Sequence, residues 1–380
     1  MAKKVFGWIK KELMLLLSLL AAIAGLIITP PSAELFTAID WRTLGILLMM
    51  LCVLEGFKQE NVLMPVVSLA GRLKSMTGLS LFLVFGVFFS SMFVTNDVSL
   101  LIFVPLTILL FRNAGKEKYI LPVISMENIA AIRGSLLTPF GSPQNLFLYG
   151  QTDITVWKFM LHMLPMSAMS AVLLVGFIFF LYRRDLREPF ASEKEETSAE
   201  KRGPRFWMYP GLFVLVLVVI VSRASWWPFA LLAVLITIAL FDRKLFIKVD
   251  YVLILTFLCF FVFSSSIAGN EVIAGFLKKH VAGQEYWWAI GLSQIISNVP
   301  ASIVLYPFTQ NFAGLIYGAD TAGLCSLIGS LASVINYRIY VREYPGKGKE
   351  FTKTFMLVSW AFFLIVVIPG FLLGSWDFFR

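Results

Sequence analysis

The sequence predicts an all-α polytopic membrane protein of two inverted-topology repeats, with about nine transmembrane spans, two re-entrant helical hairpins and two broken helices. Three observations carry this: apolar runs as long as a bilayer is thick, polar breaks in matched pairs, and basic residues that segregate by loop. Of the 380 residues, 58% are hydrophobic and 14% charged, with mean hydropathy +0.82, whereas a soluble domain is about 25% charged. A soluble enzyme is excluded on that ground. The runs are continuously apolar, unlike the alternating segments of a membrane β-barrel.

The run at 12–29 follows lysines and is too long for the apolar core of a secretory signal, so it reads as a first anchor. Further spans fall at 42–57, 119–150, 155–182, 207–222, 227–241, 250–268, 315–341 and 354–375. Residues 79–94 and 98–111 flank Thr95-Asn96-Asp97, and 286–297 and 301–314 flank Asn298-Val299-Pro300. Each flank reaches only about 18–24 Å as helix, short of a core of about 30 Å. Both pairs therefore read as hairpins, 79–111 entering from the cytoplasm and 286–314 from outside, with polar tips inside the membrane. Amphipathic pieces at 59–74 and 271–282 precede them as interfacial arms. The segment 183–206, rich in Glu, Lys, Arg and Ser, is a cytoplasmic linker between a first repeat, 1–182, and a second, 207–380. Trp8 and eight other tryptophans lie near span ends, as interfacial rings should, and Trp360 alone sits well inside a span.

With hairpins that return to the side they left, 25 of the 32 basic residues fall on one side. They cluster at Lys3–Lys11, Lys58–Lys74, Arg112–Lys118, the linker, Arg243–Lys248 and Arg338–Lys353. Arg42, Lys158, Arg223, Lys278, Lys279 and Arg380 lie on the other side, and Arg133 lies in a span. The bias places the chain in the inner (plasma) membrane with a cytoplasmic N-terminus and an external C-terminus. The net charge of +9 is thus a topology signal, and no nucleic-acid partner is expected. Three scattered cysteines and two distant histidines, His162 and His280, supply neither a disulfide framework nor a zinc site.

Aligning Asn96 with Asn298 brings Pro105 and Pro307 into register. After each hairpin a span is interrupted at Gly-Ser: Thr138-Pro139-Phe140-Gly141-Ser142-Pro143-Gln144-Asn145 in the first half, Ser326-Leu327-Ile328-Gly329-Ser330 in the second. A single Gly or Pro usually only kinks a helix. Four breaks in two matched pairs point instead to a secondary transporter with its site at the midplane between the repeats. Helix N-termini freed at the breaks attract anions, while freed carbonyls and helix C-termini coordinate cations such as Na⁺. A lone Ser or Thr mostly bonds back to its own helix; pairing across the halves raises these above that. The candidate substrate and ion ligands are Thr95, Asn96, Asp97, Thr138, Gly141, Ser142 and Asn145, with Ser297, Asn298, Gly329 and Ser330. Na⁺ is placed at Asn96, Ser142, Asn298 and Ser330, and the two asparagines are expected on opposite sides of one cavity.

These motifs resemble the ion transporter superfamily, which holds divalent anion:sodium symporters (dicarboxylate, citrate and sulfate carriers), arsenite permeases and a Na⁺/H⁺ antiporter branch. The resemblance covers nearly the whole chain. Its most specific motif, Thr138 to Asn145, is close to the symporters' Thr-Pro-Ile-Gly-Thr-Pro-Pro-Asn. Asn96-Asp97 is closer to the arsenite permeases, and Val299 stands where symporters carry Thr. The resemblance implies two re-entrant hairpins, Na⁺ sites between tips and breaks, an elevator movement and often a homodimer.

Arg133 lies about 22 Å along its helix from Lys118, too deep to snorkel. It is either an anion ligand or the static partner of Asp97, a carboxylate that is costly in the membrane when ionised and unpaired. Glu55 and Asp320, near span ends, read as solvated. The expected function is secondary active transport of a small anion, such as a dicarboxylate, a citrate-like acid or an inorganic oxyanion, coupled to Na⁺ or H⁺. Arsenite or antimonite efflux and Na⁺/H⁺ antiport are the alternatives. An intramembrane enzyme is disfavoured, since no nucleophile and base are paired and no GxxxxGK[ST] motif occurs. No catalytic residue, resident metal or cofactor is expected beyond the coupling ion, and the partners are the anion and the bilayer.

Overall fold

The computed structural model describes residues 13–29, 37, 39–64, 69–70, 73–184, 186 and 203–376. The N-terminal lysines, Trp8, Arg72, Arg380 and most of the expected linker lie outside these. Sixteen α-helices and no strand occur among the described residues. In the first half α1 is Leu13–Ile28 and α2 Trp41–Gln59. The hairpin is α3 Met76–Val94 and α4 Asn96–Asn113, the broken span α5 Ile120–Ser135 and α6 Pro143–Gly150, and the closing helix α7 Val156–Leu181. In the second, α8 Pro204–Val221, α9 Trp227–Asp242 and α10 Tyr251–Ala268 lead to the short α11 Glu271–Val281. There follow a hairpin, α12 Glu285–Ile296 and α13 Asn298–Leu305, a broken span, α14 Phe312–Ala322 and α15 Leu331–Glu343, and α16 Gly348–Gly374.

Polar caps set the helix starts: Asp40, Ser75, Thr155, Asp250 and Asn270 each accept an N–H of the first turn. The first hairpin is longer than its apolar runs suggest. Its limbs have 19 and 18 residues, about 27–29 Å each, because Ser75 starts α3 ahead of the run and α4 continues through Arg112. The second hairpin is shorter, with limbs of 12 and 8 residues. Pro307 falls in the 3₁₀ turn that ends α13, while Pro105 is kept inside α4. The arm expected at 271–282 is α11. At 59–74 the chain leaves α2 in turns, with Asn61 at φ 51°, and part of that arm lies outside the described residues.

Contacts at the helix ends fix the sense of the two hairpins. Tyr182, just past α7, bonds Ser80 at 2.9 Å at the base of the first hairpin, and Arg112, near the other foot, meets Glu343 at 3.3 Å. Glu343 stands just before α16, so α16 begins at that base. Its far end is tied to the base of the second hairpin, where Asn311 Nδ2 donates to the Gly374 carbonyl at 2.7 Å. A helix of 27 residues, about 40 Å long, separates the two bases, so the hairpins open to opposite ends of the molecule. The Lys248–Gln59 and Arg205–Asp242 contacts lie at the first end; Asp40–Gln151 and Arg223 on the Ile154 carbonyl lie at the second. At the centre, α5 and α14 are almost wholly buried.

Candidate substrate and ion site

Both hairpin tips adopt the same backbone. Thr95 has φ 70° and ψ 156°, and Ser297 φ 69° and ψ 161°, a region left almost entirely to glycine that costs a residue with a side chain about 1–3 kcal/mol. The same contact holds each. The Asn96 N–H donates to the Gly141 carbonyl at 3.2 Å, and the Asn298 N–H donates to the Gly329 carbonyl at 3.2 Å. Each glycine sits in a break where the chain doubles back on the helix it has left. A Cβ on Gly141 would stand 2.4 Å from the Ser135 carbonyl oxygen, and one on Gly329 would stand 2.2 Å from that of Ala322.

Further contacts repeat across the halves. Thr138 Oγ1 donates to the Met92 carbonyl, and its counterpart Ser326 Oγ donates to Gln294 Oε1. Asn145 Nδ2 donates to the Ser135 carbonyl at 3.3 Å, and Ser333 Oγ donates to the Gly323 carbonyl at 3.4 Å. Ser142 and Ser330 both open a post-break helix in extended conformation, and neither hydroxyl caps it. Each hairpin's second limb packs on the other half's post-break helix, α4 on α15 and α13 on α6.

The N-termini of α4, α6 and α15 share a cavity of about 220 Å³, lined by Thr95, Asp97, Ser142 and Leu331 and walled by Met50, Leu54 and Leu253. Glu55, Lys58, Lys248 and Asp250 line it toward the end where the first hairpin has its base. Ser142 Oγ and Asp97 Oδ1 are buried with no hydrogen-bond partner among the described residues. In the membrane interior such oxygens cost free energy unless something binds them. A smaller cavity of about 40 Å³ lies toward the opposite end, lined by Asp40, Arg42 and Tyr149, and Leu146 of α6 lines both.

The structure thus gathers Thr95, Asn96, Asp97, Thr138, Gly141, Ser142 and Asn145 at the first break, and Ser297, Asn298, Gly329 and Ser330 at the second. Neither asparagine is among the residues that line this cavity. Asn96 Oδ1 accepts the N–H of its neighbour Asp97 at 2.9 Å, and the second half reaches the wall through Leu331 and Ile335. Arg133 is partnered by Asp320, which joins α5 to α14, and Arg133 Nη2 also reaches Thr321 Oγ1 at 3.3 Å. This corrects both the Asp97 pairing and the solvated reading of Asp320, a side chain 1% exposed. Asp320 lies three residues before the break at Gly323, so it ends a helix inside the molecule rather than at its surface. Glu55 meets Lys58 at 3.3 Å on the cavity wall.

Three contributors escaped the sequence reading. Gln294 Nε2 donates to the Ala322 carbonyl at 3.2 Å, and Asp250 joins the cavity wall. Trp360 Nε1 donates to the Cys325 carbonyl at 2.9 Å, inside the second break; its place deep in a span was the available signal.

Two opposed helical hairpins closed over matched broken helices, in a chain with six helices long and apolar enough to cross a membrane, the limbs of the first hairpin among them, fit a polytopic membrane transporter. Residues 4–324 match the citrate transporter family, and the chain belongs to that family, within the ion transporter superfamily. It is 30% identical over 309 residues to an uncharacterized transporter of Methanocaldococcus jannaschii, covering 80% of this chain and 83% of that one. It is also 30% identical over 311 residues to the inner membrane protein YbiR of Escherichia coli, covering 80% of each.

Proposed function

We propose that this chain is a secondary carrier of a small carboxylate or oxyanion, coupled to Na⁺ or H⁺ and resident in an inner membrane with its basic end cytoplasmic. The observation that carries the reading is the pair of unpartnered oxygens, Ser142 Oγ and Asp97 Oδ1, on a cavity that three helix N-termini share. The N-termini favour an anion. The Asp97 carboxylate with the Thr95 and Ser142 hydroxyls is a hard-oxygen donor set for Na⁺ or a proton. Arg133 and Asp320 tie the two broken spans together, and the crossed packing of α4 on α15 and α13 on α6 joins the hairpins to them. That unit is the moving body of an elevator, sliding against α2 and α10. Membership of a family of transporters speaks against catalysis.

The test is the thermal stability of the purified protein with dicarboxylates, citrate, sulfate and arsenite, each in Na⁺ and in K⁺ and at two pH values. A ligand at 100 times its Kd stabilises the folded state by about 2.7 kcal/mol. One anion is expected to raise the melting temperature, and more so with the coupling ion present. A response to arsenite alone would move the assignment to efflux, and no response to any anion would refute the reading. Asp97→Asn should flatten the pH or Na⁺ dependence of uptake in proteoliposomes; an unchanged dependence would remove Asp97 from coupling.

A further inference from the structure

One buried carboxyl takes no part in the transport cavity. Glu127 lies in the middle of α5, seven residues past Ile120 and so about 10 Å inside the end that carries Arg112. It is 0% exposed. Thr107 Oγ1, on the second limb of the first hairpin, donates to Glu127 Oε1, and Glu127 Oε2 has no hydrogen-bond partner among the described residues. Neighbouring contacts join α5 to α15: Asn128 Nδ2 donates to Ser333 Oγ at 3.0 Å, and Asn336 Nδ2 donates to the Ile124 carbonyl at 2.7 Å. Those donations fix how the two amides are turned, and they leave Asn128 Oδ1 and Asn336 Oδ1 buried without a donor. This stretch of α5 and α15 thus holds three acceptor oxygens that lack a hydrogen.

Among the described residues no cation pairs with Glu127. The helices packed on α5 are α3, α4, α7, α15 and α16, and α3 has no charged side chain. On α4, Asp97 and Arg112 lie about 15 and 8 Å along the helix from Thr107, and Arg112 is engaged by Glu343. On α5 itself, Arg133 is taken by Asp320. Lys158 and His162 of α7 lie toward the opposite end of the molecule. On α15, Arg338 is exposed, Arg342 and Glu343 stand at the end of the helix, and Tyr340 stacks on Tyr344 at 4.9 Å. Lys349, Glu350 and Lys353 fall in the first turns of α16, at the basic end.

We propose that Glu127 is a proton-binding site of the carrier, separate from Asp97, whose occupancy decides whether α4 stays seated on α5 and α15. An ionised carboxyl without a cation is costly in the membrane interior. The neutral acid accepts from Thr107 at one oxygen and donates from the other. A metal ion would need oxygens on several sides, whereas a proton needs one bond. When the Oε2–H bond breaks and the proton passes to water at the basic end, the stranded charge forces α4 away from α5. The N-terminus of α4 opens on the transport cavity, so the change reaches the anion site along one helix. The place in a cycle rests on the carrier reading above; the proton itself does not.

Infrared spectra of the full chain at neutral pH read the proton as the C=O stretch of a carboxylic acid. Wild type and Asp97→Asn are expected to show a band that Glu127→Gln loses, and Thr107→Val should shift it, because one oxygen then lacks its hydrogen bond. Glu127→Gln should fold, since a neutral amide accepts and donates as the acid does, and its melting temperature should resist alkaline pH better than that of wild type. In proteoliposomes its anion uptake should no longer vary with pH on the basic side. Identical acid bands in wild type and Glu127→Gln, or a band unmoved by Thr107→Val, would overturn the proposal. Na⁺ raising the melting temperature of wild type but not of Glu127→Gln, with no acid band, would give the site to Na⁺ instead. A wild-type pH profile of uptake in Glu127→Gln would remove Glu127 from the cycle. The band is read without transport, so failure of the carrier reading leaves it in place, and failure of the proton reading removes it alone.

Discussion

Replacing Arg133 by Met removes the cation beside Asp320 and leaves that carboxylate inside the molecule. The guanidinium side chain is 0% exposed and its partner 1%, so water cannot compensate for the loss. Breaking a buried pair from one side costs about 3–5 kcal/mol, a large share of a total stability of about 5–15 kcal/mol. Asp320→Leu alone should cost a similar amount, because it strands the arginine. The double variant Arg133→Met, Asp320→Leu removes both charges and fills similar volume, and such replacements are neutral or stabilising by about 1–4 kcal/mol. A double-mutant cycle measured by unfolding in mixed micelles should therefore show a coupling of at least about 3 kcal/mol. Anion affinity of the double variant, read from uptake, should stay near wild type. If Arg133→Met keeps wild-type stability and loses anion affinity, the pairing argument fails and Arg133 is a ligand.

Ser142→Ala removes a hydroxyl that makes no bond among the described residues, so the fold should be untouched while ligand affinity falls about 10-fold or more, the worth of a hydrogen bond to a charged group; unchanged affinity would take Ser142 out of the site. Thr95→Gly and Ser297→Gly should each stabilise the protein by relieving up to about 1–3 kcal/mol of backbone strain, seen as a higher melting temperature, and a lower one would contradict the strain at the tips. Gly329→Ala should destabilise by about 1–3 kcal/mol or more, since its methyl would meet the Ala322 carbonyl oxygen at 2.2 Å; thermal unfolding at wild-type temperature would show that the loop yields freely.

Much of this architecture is legible in the chain because a bilayer punishes polar interruptions. Thr95-Asn96-Asp97 and Ser297-Asn298 stand out in apolar surroundings, and Gly-Ser after each hairpin does the same. What sequence does not carry is pairing over distance. Arg133 declares itself as a buried cation, but Asp320 lies 187 residues further along the chain, and only the folded contact between α5 and α14 shows that it, and not Asp97, is the partner. The apolar run 315–341 also hides a helix end, so Asp320 looked like the rim of a span when it is the last turn before a break. The lengths of the first hairpin's limbs were likewise set by the Ser75 cap and not by hydrophobicity. Trp360 was visible as an exception to the interfacial pattern, yet its acceptor, a backbone carbonyl, has no sequence signature.

The two cavities that meet at Leu146 have an electrical consequence. The larger reaches Pro143 and the smaller reaches Gly150, the two ends of a helix of eight residues, about 12 Å long. With water in both, the membrane voltage falls mainly across that septum and not across the full hydrocarbon thickness of about 30 Å. Under the proposed elevator, a bound charge carried from one side of that septum to the other crosses most of the potential in one step, about 2.3 kcal/mol per elementary charge at 100 mV. In that elevator α6 travels with its cargo, so voltage sensitivity would be concentrated in the transition that carries α6 and its bound charge from one side to the other, and entry and exit from either cavity would be nearly electroneutral.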